Sequence, residues 1–154
     1  MENGPEGRAP AVGDNDCGQC DVPPLEEGVK HVQVAAGFKH TVLLRNDGLA
    51  VEVGENRDGQ CDLPLLEDGA EYVQVAAGVD HTVLLRSDGR ALAVGNNDGG
   101  QCDVPPLEEG VKYVQVAAGV KHNVLLRNDG LALAVGETRY GQCDLPCGRM
   151  AQST

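Results

Sequence analysis

Three observations predict an all-β chain of tandem blades, part of a β-propeller. One 41-residue unit occurs three times and opens a fourth, its strand-like runs are apolar on both faces, and no stretch sustains a helical period. The unit is read directly from recurring segments. Gly-Gln-Cys-Asp stands at 18–21, 59–62, 100–103 and 141–144, each 41 residues after the last. Val-Gln-Val-Ala-Ala-Gly recurs at 32–37, 73–78 and 114–119, followed by His40, His81 and His122. Val-Leu-Leu-Arg ends at Arg45, Arg86 and Arg127, and Asp-Gly follows at 47–48, 88–89 and 129–130. Each unit closes on Val-Gly, at Gly54, Gly95 and Gly136. The first and third units are the nearer copies, so what the middle unit keeps carries the most weight.

Within the unit the elements follow in order. Val32–Ala36 is the first strand, rich in β-branched residues. Thr41–Arg45 is the second, ended by Asn46-Asp47-Gly48, because Asp-Gly tolerates the positive φ of a tight hairpin turn. Leu49–Val53 is the third. Gln60–Leu63 reads as a short fourth, stopped by Pro64, which has no amide to give a sheet and favours an edge. Pro23-Pro24, Glu26-Glu27 and Gly28 make the loop into the first strand.

A strand with one wet face alternates apolar and polar residues. Val42-Leu43-Leu44, Ala91–Val94 and Leu131–Val135 do not alternate, so these strands want apolar cover on both sides. A blade between two neighbouring blades supplies it, giving four-stranded units stacked as a partial propeller. A β-trefoil, also three units of similar length, is the alternative, although its strands should alternate more clearly. Residues 1–12 and 147–154 lack the repeat and read as flexible segments flanking the repeats at 13–146.

Composition narrows the partners. The aromatic residues are Phe38, Tyr72, Tyr113 and Tyr140, so the core must come from Val, Leu and Ala. A net charge of −12 disfavours nucleic acid and anionic membranes and suits a basic protein partner. No secretory signal and no membrane-length apolar run is visible, and six cysteines without a signal suggest reduced thiols. A cytoplasmic or nuclear location is expected.

Read together, Val-Ala-Ala-Gly-x-x-His-Thr-Val-Leu-Leu-Arg-x-Asp-Gly and then Val-Gly-x-Asn-x-x-Gly-Gln resembles the regulator-of-chromosome-condensation repeat. The resemblance spans residues 13–146. It implies a propeller of four-stranded blades, typically about seven, as used by guanine nucleotide exchange factors, by HECT-type ubiquitin ligases and by propellers that only dock proteins. Three features depart from the pattern. Gly-Gln-Cys-Asp replaces the usual Gly-Gln-Leu-Gly, the unit is shorter than about 50 residues, and three units do not fill a normal ring. The expectation is a piece of a longer propeller, or a protomer that completes a ring with a second copy as a homodimer.

The residues expected to hold the repeat are Gly37, His40, Asp47, Gly48 and Gly54, the Gly59-Gln60 pair, and their equivalents. In the middle unit these are Gly78, His81, Asp88, Gly89 and Gly95, then Gly100-Gln101; in the third they are Gly119, His122, Asp129, Gly130 and Gly136. The resemblance makes the histidines structural hydrogen-bonding groups near a turn, rather than a metal trio. Cys20, Cys61, Cys102 and Cys143 share one repeat position and read as small buried apolar residues. Cys17 with Cys20, and Cys143 near Cys147, would need to meet to hold zinc. Arg45, Arg86 and Arg127 precede an Asp by two residues and suit a surface ion pair.

No Ser/His/Asp or Cys/His set and no phosphate loop is present, so no catalytic residue, metal or cofactor is assigned. The acidic loops Glu26-Glu27, Glu67-Asp68 and Glu108-Glu109 are the candidate docking rim, since stacked blades would bring them to one edge. The expected function is a protein–protein interaction module that displays loops on a rigid scaffold. Residues differing between units, such as Phe38, Asp80, Arg90 and Tyr140, would set its specificity. Two alternatives are a guanine nucleotide exchange factor, for whose inserted element the uniform units leave no room, and a substrate-binding fragment of a HECT-type ligase.

Overall fold

The computed structural model describes residues 9–67, 69–139, 141 and 143. Of the segments expected to be flexible, 1–12 and 147–154, residues 1–8 and 147–154 lie outside these residues. Each unit forms its own antiparallel sheet. The first comprises β1 (His31–Ala36), β2 (His40–Arg45) and β3 (Ala50–Gly54). The second holds β4 (Tyr72–Ala77), β5 (His81–Arg86) and β6 (Ala91–Gly95); the third holds β7 (Tyr113–Ala118), β8 (His122–Arg127) and β9 (Ala132–Gly136). In every sheet the middle strand is the second in sequence. The β2–β3 turn closes on a bond from Gly48 N to Arg45 O of 3.1 Å. Gly48 sits at φ +81°, a conformation that Asp47-Gly48 supplies without strain.

The strands are buried as their unbroken apolar runs demand. Val42, Leu43 and Leu44 are 0%, 1% and 4% exposed. Val42 and Leu44 pack with Tyr72, Val75 and Leu84 of the second sheet. On that sheet's other side, Val83 and Leu85 meet Tyr113, Val116 and Leu125. Adjacent residues of β5 therefore serve opposite interfaces, and each fully buried Val or Leu contributes roughly 1.5–3 kcal/mol. The sheets touch in sequence order, first to second and second to third, as an open stack.

Two expectations need correction. Each blade has three strands rather than four, because Gln60–Leu63 is a turn and then irregular chain. Asn56 holds this segment, accepting from Cys61 N at 2.8 Å and donating to Asp62 Oδ1 at 2.8 Å. Asp62 N bonds Gly59 O at 3.0 Å, so the amides are taken locally before Pro64 ends any pairing. The trefoil alternative also fails, since each unit builds a separate sheet and the middle sheet is covered on both faces by its neighbours. Among the described residues no helix is long and apolar enough to cross a membrane.

Candidate functional site

The stack has two rims. The entry loops and the β2–β3 type turns share one, and the β1–β2 type turns lie at the other, because successive strands run in opposite directions. On the first rim the sequence Glu-Glu-Gly-Val folds as a tight turn. Val29 N bonds Glu26 O at 3.1 Å, and Ala70 to Glu67 and Val111 to Glu108 repeat the bond at 3.0 and 3.1 Å. Gly28, Gly69 and Gly110 take the required positive φ at 80°, 71° and 81°. The carboxylates of Glu26, Glu27, Glu67, Glu108 and Glu109 are thereby held out on exposed loops. Asp68 lies outside the described residues. Among the described residues none of the five carboxylates forms an ion pair.

These loops are clamped to the turns below them. Asn46 donates from Nδ2 to Gly28 O at 3.1 Å and accepts from Lys30 N at 3.1 Å. Asn128 makes the same two bonds in the third unit, while the Ser87 hydroxyl accepts from Glu71 N at 3.0 Å in the second. Neighbouring units are joined at this rim too. Tyr72 N donates to Gly48 O and Tyr113 N to Gly89 O, each at 2.8 Å. The acidic loops are therefore fixed relative to one another by backbone bonds.

Arg86 and Asp88 form an ion pair of 2.7 Å at the second unit's turn, and Arg45–Asp47 and Arg127–Asp129 pair likewise. Each aspartate also accepts a turn amide, as Asp88 does from Arg90 N at 3.2 Å. The Arg45 guanidinium holds the Asp47 carboxyl below the usual carboxylate range. These groups brace the rim.

The histidines lie between sheets. His40 Nε2 is 3.0 Å from Thr82 Oγ1 of the next unit, and His81 Nε2 is 2.6 Å from Asn123 Oδ1. Each imidazole packs closely against a glycine: a Cβ on Gly78 would stand 2.0 Å from His81 Cε1 and 2.5 Å from Gly119 O. Burial lowers the pKa of His40 and His81, which favours the neutral ring. Gln60 and Gln101 are fully buried, and their side chains accept from Asp58 N and Gly99 N at 3.0 and 2.9 Å.

The cysteines are half-buried rather than core residues. Their thiols donate to carbonyls six residues earlier, Cys61 to Glu55 O at 3.4 Å and Cys102 to Asn96 O at 3.3 Å. Sulfur thus ties off the turn that was read as a strand. Burial pushes the Cys61 thiol up to about 12 and Cys102 to about 11, far from a reactive thiolate. Cys147 lies outside the described residues, and among those described no cluster of three or more His, Cys, Asp or Glu side chains is arranged to hold a metal ion.

Sequence reasoning missed two features. Phe38, Val79 and Val120 line up across the opposite rim in a shallow groove of about 310 Å³. Phe38 and Val120 are 68% and 62% exposed. The apolar residue that follows Val-Ala-Ala-Gly in all three units was the available signal. The second feature is Glu52, half-buried on β3 with both carboxyl oxygens shut off from solvent, where the other units have Ala93 and Ala134. Tyr140, singled out for specificity, lies outside the described residues.

Residues 72–101 match the regulator of chromosome condensation (RCC1) repeat. No curated protein sequence matches the chain. Among solved structures, human WBSCR16 is 24% identical, with a TM-score of 0.62 over 74% of this chain and 37% of its own. Prp20p from Saccharomyces cerevisiae, in a structure reported with its binding properties to Gsp1p and histones, is also 24% identical. Its TM-score is 0.62 over 73% of this chain and 32% of its own. Yeast RCC1 (Prp20) bound to Kap60 is 24% identical over 87% of this chain and 38% of its own, with a TM-score of 0.60. The chain thus spans about a third of the length of the structures it matches, and the likeness is one of fold. The matched stretch sits in the middle unit, and the same strands and inter-sheet bonds recur 41 residues to either side, so the chain is similar to RCC1-repeat proteins in its repeats and its fold.

Proposed function

We propose that the chain is a protein-docking module whose acidic rim receives a basic segment of a partner protein. The observation that carries this reading is the row of unpaired carboxylates on three equivalent turns, locked together by Tyr72–Gly48 and Tyr113–Gly89 backbone bonds. A rigid row of like charge costs little reorganisation when a flexible cationic chain lies along it. The middle unit adds Glu71 where its neighbours have Lys30 and Lys112, so negative charge is densest at the centre. The histone binding reported for Prp20p supports the reading, since histones are strongly basic proteins. The test is binding of a histone-tail peptide as salt is raised. Affinity should fall steeply with salt and drop about tenfold when Glu67 and Glu71 are changed to Gln. Binding that ignores both salt and these substitutions would remove the rim from the mechanism.

A second reading, guanine nucleotide exchange, draws on the likeness to Prp20p, studied with Gsp1p. Accelerated nucleotide release from a small GTPase would favour it, and the uniform 41-residue spacing argues against an inserted exchange element. The ligase-fragment reading draws no support from these relatives.

A further inference from the structure

We propose that the outer face of the third sheet docks onto the outer face of the first sheet in a second copy of this chain, in the register that the internal interfaces already use. Both internal interfaces are built from the same parts. A glutamine on the leading strand accepts from an edge amide of the next sheet: Gln33 Oε1 from Val75 N and Gln74 Oε1 from Val116 N, each at 2.6 Å. A histidine reaches the next unit's Thr82 or Asn123. Every one of these bonds joins residues 42 apart, so each unit carries one half of the interface on either face.

The terminal sheets carry the unmatched halves. Gln115 occupies the position of Gln33 and Gln74 but stands exposed, and His122 is less buried than His40 or His81. Val124 and Leu126 are partly exposed, whereas their equivalents Val83 and Leu85 are 0% and 4% exposed. On the first sheet, Val34 is 58% exposed, while Val75 and Val116 at the same position are 6% and 5% exposed. Val34 lines a groove of about 580 Å³ together with Leu43, Thr41 and Val22, with residues 9–12 along one side. The Thr41 hydroxyl already donates to Gln19 O at 2.8 Å, which leaves its oxygen lone pairs for an incoming imidazole N–H. The occupant that fits is the back of a sheet with a glutamine, a histidine and paired Val and Leu at this spacing. The third sheet of another copy is that surface. Contact of this kind is head-to-tail, and two copies would supply six sheets to one ring.

The test is sedimentation of the intact 154-residue chain over a concentration series, with two face-blocking variants. Wild type should move from 16.1 kDa towards twice that mass as concentration rises. Val34→Glu blocks every front face and Leu126→Glu every back face, so each alone should stay monomeric, its association weakened on the order of 100-fold. An equimolar mixture keeps one intact front and one intact back, and should recover a one-to-one complex. Gln115→Ala, on an exposed side chain that cannot upset the fold, should weaken association about tenfold without changing the monomer's melting. A wild type that stays monomeric throughout, a blocked variant that still dimerises, or a mixture that fails to associate would each overturn the proposal.

Discussion

Replacing Glu52 by Gln should stabilise the protein at neutral pH and leave it unchanged in acid. Glu52 sits opposite Val42 in the β2–β3 ladder, in the interface between the first and second sheets, and neither carboxyl oxygen completes a hydrogen bond. Desolvation raises its pKa from 4.5 to about 8, and the Thr82 hydroxyl and Cys61 thiol beside it offset this only in part. The folded state therefore prefers the protonated acid, while the unfolded chain ionises from about pH 4.5. Stability from this group is whole below pH 4.5 and is lost as pH climbs through about 8. At about 1.36 kcal/mol per pH unit, the cost at pH 7 reaches about 3 kcal/mol. Gln keeps the shape and the neutral charge, so thermal melts at pH 7 should rise by about 10 °C for a chain of this size. At pH 4.5 the two proteins should melt together. Equal melting temperatures across the whole range would mean that water reaches the carboxyl, and the argument from burial would fail.

Two further outcomes follow from the interfaces. Gly78→Ala should cost about 3 kcal/mol in urea unfolding, since its Cβ would stand 2.0 Å from His81 Cε1. Gly28→Ala, with open space around it but φ +80°, should cost only about 1–2 kcal/mol from backbone strain. Acid should act through His40 and His81, whose folded pKa values lie below 6.5. The stability they support is present above pH 6.5 and is lost as pH falls below it, by up to about 1.4 kcal/mol per pH unit for each ring. Measured in the Glu52→Gln background, His40→Gln and His81→Gln together should flatten this acid limb of the denaturation curve; an unchanged slope would place the titration elsewhere.

Much of the architecture was legible because the unit repeats. The non-alternating Val-Leu-Leu run demanded cover on both faces, and β5 buries adjacent residues in opposite interfaces. The supposed fourth strand was misread because Gln60–Leu63 looks extended in composition. Its amides are instead captured by Asn56 and Gly59, a local competition that strand patterning does not weigh. The cysteines were misread for a related reason, as an apolar position hides a thiol that donates to a carbonyl in its own turn. The acidic turns were visible as Glu-Glu-Gly, but their fixed spacing depends on backbone bonds between units. Glu52 escaped because its burial comes from the neighbouring sheet, which a strand read alone does not contain.

The shared 42-residue span of the glutamine and histidine bonds between sheets has a consequence for how such a chain grows. Each unit presents a socket on one side and the matching plug on the other, so copying any 41 residues in frame creates a finished joint along with the new sheet. No residue within the unit counts its copies. Lengthening by duplication meets no mismatch at the seam, which accords with first and third units that remain nearly the same sequence. The size of a ring made from such parts is a property of the angle between neighbours alone.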